Sequence, residues 1–364
     1  MTRHKLVAFA LAVLAGCMGV SSAFAQPAPN TVVLLPAPDI AGVIKGGTKP
    51  EIVARGLKSA DDPIWLPNIG LVFTESQGNR VVRLGENDQL STFVGDLHRP
   101  LGMTFDAQGR LISLQSETGF TGPRVIWPAG KERVLADRFE GRPFGRPNDI
   151  VSDRKGGVYF SDLGPSVPPP GELTPAVYYV PPGGAPIRVA GDIARPNGVQ
   201  LSRDEKTLYI NDTGGIHAYA FDVLPDGRLS NRRVFVTYVG RDRSIAATEE
   251  PRSNADGLVI DEDGRLYALT EAGIEVVSSS GQHLGVIPVW CITRRCQNLT
   301  FGGPEKRTMY VAGGGTLLRI EMLSKGFGGR AKQKRGGVNA AWEGMVLCAR
   351  VTHRLLDGES YICV

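Results

Sequence analysis

Asp61, Asn148, Asn197, Asp256 and Asn298 share a phase. Each stands ten or eleven residues before the first apolar residue of a β-rich run, and at the matching place before one further run stands Leu101. Carboxylate and amide oxygens gathered in this way suit a hard cation: Ca²⁺ accepts carboxylate, amide carbonyl and water in flexible geometry. Asp and Asn are poor strand formers and also cap turns through their own backbone. Turn capping alone, however, does not demand the same phase in unit after unit. The five histidines, His4, His98, His217, His283 and His353, have no metal-ligand spacing, and no Cys-x-x-Cys occurs, so a His/Cys zinc site is not indicated. There is no Gly-x-Ser-x-Gly nucleophile elbow and no phosphate loop, and Gly313–Gly315 reads as a turn. Ca²⁺ is the expected cation, with another divalent ion such as Zn²⁺, Mn²⁺ or Mg²⁺ as the alternative.

The elements that must position these residues are strands. "RPNDIVSDRKGGVYFSD" at Arg146–Asp162 returns as "RPNGVQLSRDEKTLYIND" at Arg195–Asp212, and six such units are found. Their β-rich runs begin at Gly70, Gly109, Gly156, Lys206, Gly264 and Arg307. The first apolar residues, Leu71, Leu111, Val158, Leu208, Leu266 and Met309, are separated by 40, 47, 50, 58 and 43 residues, which suits a four-stranded blade with variable loops. Period-2 alternation and turns such as "DAQG", "DEDG" and "LPDG" support strands throughout. The expectation is an all-β, six-bladed β-propeller in which equivalent positions of successive blades face one channel holding a central divalent-metal site.

The chain opens with a basic start, an apolar run from Leu6 to Ala15 and "AFA" before Gln26, the pattern of a secretory signal over residues 1–25. The run is too short to span a bilayer, and no other stretch is apolar enough to do so. "LAGC" at Leu14–Cys17 offers the alternative of a lipoprotein anchored through Cys17. Formal charge is +4, but the signal and the basic end account for it, and residues 26–322 sum to about −2. Nucleic acid is therefore not an expected partner. Cys291, Cys296, Cys348 and Cys363 remain after cleavage and allow three disulfide pairings. The expected organisation is a Pro-rich lead-in at 26–45, the propeller at 46–323 and a basic, flexible tail at 324–364.

From about residue 55 to 322 the chain resembles the senescence marker protein/gluconolactonase/luciferin-regenerating family. "RPND" at Arg146–Asp149, "RPNG" at Arg195–Gly198, "NADGLVIDEDGRLYAL" at Asn254–Leu269 and "NLTFGGPEKRTMYV" at Asn298–Val311 carry the likeness. The resemblance implies a six-bladed propeller that holds a divalent cation, usually Ca²⁺, and hydrolyses sugar lactones such as gluconolactone. It implies metal-binding roles for Asn197, Asp256, Asp61 and Asn148, substrate contacts from Arg146 and Asn148, and proton handling by Asp256. Asp61, in "DDPIW", stands where the family usually has the longer Glu, and Asp62 is the neighbour able to substitute for it. The signal and the resemblance together lead to an exported, periplasmic lactonase, expected as a monomer. The alternatives are an exported ligand- or partner-binding propeller with a structural metal, and a strictosidine-synthase-like or paraoxonase-like propeller enzyme.

Overall fold

The computed structural model describes residues 34–164, 171, 173–291 and 296–329. Residues 1–33 and 330–364, with the signal, Cys17, Cys348 and Cys363, lie outside the described residues.

Six four-stranded antiparallel sheets follow one another along the chain. Their innermost strands are Ala60–Leu66, Pro100–Phe105, Pro147–Ser152, Pro196–Leu201, Leu258–Ile260 and Asn298–Gly302, which define blades 1 to 6. The second strand of each blade is the β-rich run counted in the sequence. The turn joining first and second strands is built by a side chain that satisfies its own loop. In blade 2 the Asp106 carboxylate accepts from the backbone N–H of Gln108 and Arg110, and in blade 5 Asp261 accepts in the same way from Asp263 and Arg265.

Blade 6 closes the ring. Its own chain supplies Asn298–Gly302, Thr308–Gly313 and Thr316–Glu321, and the fourth strand is Glu51–Arg55, from before blade 1, paired antiparallel with the last of these. Completing the last blade with a strand from before the first ties the two ends of the ring together. Part of the Pro-rich lead-in belongs to the core, since Ala37, Ile40, Val43 and Ile44 are buried against blades 5 and 6. Nor does the packed chain stop at Leu323: Ser324 N–H donates to Val43 O, Gly326 N–H to Lys306 O and Phe327 N–H to Ile260 O.

Apolar side chains alternate along each strand and fill the wedges between blades. Between blades 2 and 3, Ile112, Leu114, Phe144, Phe160 and Tyr178 form one such wedge, with Phe144 edge-on to Phe160 at 4.9 Å. Replacing the fully buried Phe160 by Ala would cost about 3–5 kcal/mol in lost burial and cavity. That wedge holds blade 2 against blade 3.

Candidate active site

The pairing of each innermost strand with its neighbour fixes the true phase around the channel. Trp65, Phe105, Ser152, Leu201, Ile260 and Phe301 pair with Leu71, Leu111, Val158, Leu208, Leu266 and Met309. Four residues back along each innermost strand stand Asp61, Leu101, Asn148, Asn197, Asp256 and Gln297. Five of the positions expected from the sequence therefore fall in one ring. The sixth is Gln297 and not Asn298, because the turn from Phe301 to Met309 is longer than its counterparts and shifts a count made across it.

In blades 1 to 4 the ladder is interrupted beside the ring, at Asp62–Pro63, Leu101–Gly102, Asn148–Asp149 and Asn197–Gly198. Such bulges re-aim side chains and leave backbone donors unpaired. The freed donors are met by the carboxylates of a second layer. Asp62 accepts from Met103 N–H in the next blade, and Asp149 accepts from Val199 N–H at 2.9 Å, also in the next blade, and from Ile150 N–H at 2.8 Å. Asn298 belongs to this layer, its Oδ1 accepting from Leu299 N–H at 2.9 Å. Glycine fills positions between these groups. A Cβ on Gly198 would lie 2.3 Å from Asp256 O, and one on Gly257 would lie 2.1 Å from Asn298 Oδ1. Neither site can hold a larger residue without parting the blades.

Asp61 is 7% exposed, and both of its oxygens have donors: Asp62 N–H to Oδ1 at 2.8 Å and Gln297 Nε2 to Oδ2 at 3.2 Å. Asp256 is pinned through its backbone. Its N–H donates to Leu269 O, and its carbonyl accepts from Asn211 Nδ2 at 2.6 Å, while Tyr238 Oη donates to Asn211 Oδ1 at 2.6 Å. Asn211 and Tyr238 are fully buried, so this chain of bonds sets the height of Asp256 from behind. Asn148 is half-buried, and Arg146 is exposed beside it, its N–H held by Asp162 Oδ1 at 2.6 Å. Arg99 and Arg195 occupy the same place, two residues before the ring, in blades 2 and 4.

Electrostatics show that the carboxylates converge. Burial pushes the Asp149 carboxyl up to about 7, with the charges of Asp61 and Asp256 adding to the rise against its backbone donors. Burial also raises Asp62 well above the carboxylate range, helped by Asp149, Asp61 and Asp256. Asp62 moreover sits at φ 31°, a conformation that costs energy for any residue but glycine and is held here by its bond to Met103.

Whether this site suits a cation is tested by its orphans. Asn197 is 5% exposed, and its Oδ1 is buried without any hydrogen-bond donor, a costly arrangement for an amide oxygen unless something else satisfies it. Asp61 and Asp256 stand at the same register position as Asn197, and oxygen donors of these types are the kind a divalent cation accepts. Among the described residues no cluster of three or more His, Cys, Asp and Glu side chains has metal-binding geometry, so the fit depends on the amide. A cavity of about 330 Å³ is lined by Asp62, Asp149 and Asn298 and by Trp65, Phe105 and Phe327. Asp61, Asn148, Asn197 and Asp256 are not among its lining residues.

Sequence reasoning did not find Asp149, Asn211, Tyr238 or Gln297 as site residues. Asp149 and Asn211 had a visible signal, in the "ND" pairs at Asn148–Asp149 and Asn211–Asp212. Tyr238 had none.

Comparison with known proteins places residues 60–314 in a match to the SMP-30/gluconolactonase/LRE-like region. The chain is 24% identical over 328 residues to a gluconolactonase of Zymomonas mobilis, covering 80% of this chain and 86% of that one. It is 25% identical over 273 residues to a pentonolactonase of Haloferax volcanii, covering 74% and 86%. Among solved structures it is similar to a gluconolactonase of Xanthomonas campestris, with a TM-score of 0.67 and 25% identity over 82% of this chain and 99% of the other.

Proposed function

Because the chain belongs to the SMP-30/gluconolactonase/LRE-like family, we propose that it is a lactonase that opens sugar lactones in the propeller channel. One observation carries the proposal beyond the family. Asp61, Asn148, Asn197 and Asp256 share one register position on four blades, and Asn211 bonds the backbone of Asp256 at that level.

A divalent cation, Ca²⁺ by the nature of the donors, would be held by Asp61, Asn197 and Asp256 with Asn148 beside it, and would polarise the lactone carbonyl. Arg146 and Asn148, at the rim, orient the sugar hydroxyls so that the carbonyl carbon faces the attacking water. The Asp256 carboxylate takes a proton from that water as its oxygen bonds to the carbonyl carbon. The bond to the ring oxygen then breaks, and the proton passes to that oxygen, leaving an open hydroxy acid. Positioned proton transfer of this kind contributes about 10²–10⁴-fold to rate, and the fixed height of Asp256 on Asn211 is what makes it positioned. The disulfide between Cys291 and Cys296 supports export to the periplasm, since such bonds persist in oxidising compartments. Among the described residues no helix is long and apolar enough to cross a membrane.

The test is hydrolysis of a panel of aldonolactones by the full chain, followed as acid release. The proposal expects turnover of five- and six-carbon aldonolactones by the wild type and its collapse in Asp256→Asn. Equal rates in the two proteins would remove the assignment.

A further inference from the structure

We propose that Gln297 is a positioning residue for Asp61, holding the first-blade carboxylate in the ring from the last blade. The inference rests on the reading of the ring as a cation site. Gln297 stands at the ring position of blade 6, where blades 1, 3, 4 and 5 carry Asp or Asn, but its amide is turned to a neighbour: Nε2 donates to Asp61 Oδ2 at 3.2 Å. The other oxygen of Asp61 takes Asp62 N–H at 2.8 Å, so the carboxylate plane is set by donors on both sides.

The donor is itself held rigidly. Gln297 N–H donates to Ala312 O at 2.8 Å inside blade 6, and its carbonyl accepts Gly257 N–H at 2.8 Å in blade 5. The residue before it, Cys296, is 1% exposed and disulfide-bonded to Cys291. One residue therefore links both ring carboxylates: its backbone is bonded to the residue after Asp256 and its side chain to Asp61. Asp is the shortest acid and reaches least far from its strand, so its direction matters more than that of a longer side chain. A donor that orients a metal-binding carboxylate is commonly worth about 10–100-fold in metal affinity.

Gln297→Met keeps the length and packing of the side chain and removes the donor. Ca²⁺ binding to the purified full chain is measured by titration calorimetry, with melting in chelator as the folding control. The expected result is about 10–100-fold weaker Ca²⁺ binding with a wild-type melt in chelator, and hydrolysis that recovers at high Ca²⁺. Adding Asp61→Glu, which extends the carboxylate by one methylene, should restore affinity in the Gln297→Met background. Gln297→Asn, which withdraws the amide, provides a second route to the same loss. If either Gln297 variant binds Ca²⁺ as tightly as the wild type, the role of Gln297 is overturned while the cation reading stands. If the wild type itself gives no binding heat, both fall.

Discussion

Asp61 and Asp256 are the two carboxylates of one ring, and they are held by different means. Both oxygens of Asp61 accept from donors, Asp62 N–H and Gln297 Nε2, which fixes the direction of its carboxylate. Asp256 is fixed through its backbone by Asn211, so its carboxylate position is set without a bond to the acid group being required for it. The two therefore respond differently to loss of charge. Asp61→Asn is expected to weaken cation binding while turnover returns at saturating Ca²⁺. Asp256→Asn should lose about 10²-fold or more in turnover even there, because the proton acceptor is gone. Steady-state hydrolysis across a Ca²⁺ series separates the cases. Full recovery of the Asp256 variant would make it a ligand only, with the proton carried elsewhere.

The strand elements explain why ring residues can be both buried and exact in height. The bulges in blades 1 to 4 release backbone donors beside the ring, and Asp62 and Asp149 collect them from the next blade, so adjacent innermost strands are stapled at that level. Asn211→Ala removes the donor to Asp256 O and leaves Tyr238 Oη without its acceptor, both fully buried at the Asn211 end. A loss of about 1–3 kcal/mol in stability is expected, with a larger fall in kcat than in KM. Chemical unfolding and hydrolysis of the same variant check this, and unchanged kcat would mean that Asn211 does not position the acid. Much of this scaffold was legible. The six-unit period and its turns fix the blades, because a turn such as Asp106–Gly109 depends on local side-chain bonding alone. What stayed hidden depended on distance in sequence. Glu51–Arg55 pairs with residues some 260 positions later, and nothing local in "EIVAR" says so. Gln297 was displaced by one in the count because a longer turn in blade 6 leaves no mark in the strand itself. Tyr238 reaches Asn211 from a loop after the outer strand of blade 4.

At the scale of the whole molecule the ring and the closure are one device. Strands from both ends of the described chain meet in blade 6, which also carries Gln297 to Asp61 of blade 1. The segment after the last strand adds to this. Phe327 packs against the wedge of blades 4 and 5, and Glu262 N–H donates to Lys325 O. A chain ending after Leu323 should therefore melt several degrees below one ending after Gly329, at about 2–4 °C per kcal/mol lost. Equal melting of the two would show that residues 324–329 add nothing to the closure. A cation held between blades binds the folded state only, and so stabilises it by mass action, by about 2.7 kcal/mol at a hundredfold excess over its dissociation constant. The most direct test of one centre serving both binding and chemistry is a single Ca²⁺ titration of the chelator-stripped protein, read by melting temperature and by aldonolactone hydrolysis in the same samples. The account predicts that both rise together with a common half-saturation point. A flat melting temperature beside hydrolysis that chelator does not affect would contradict it.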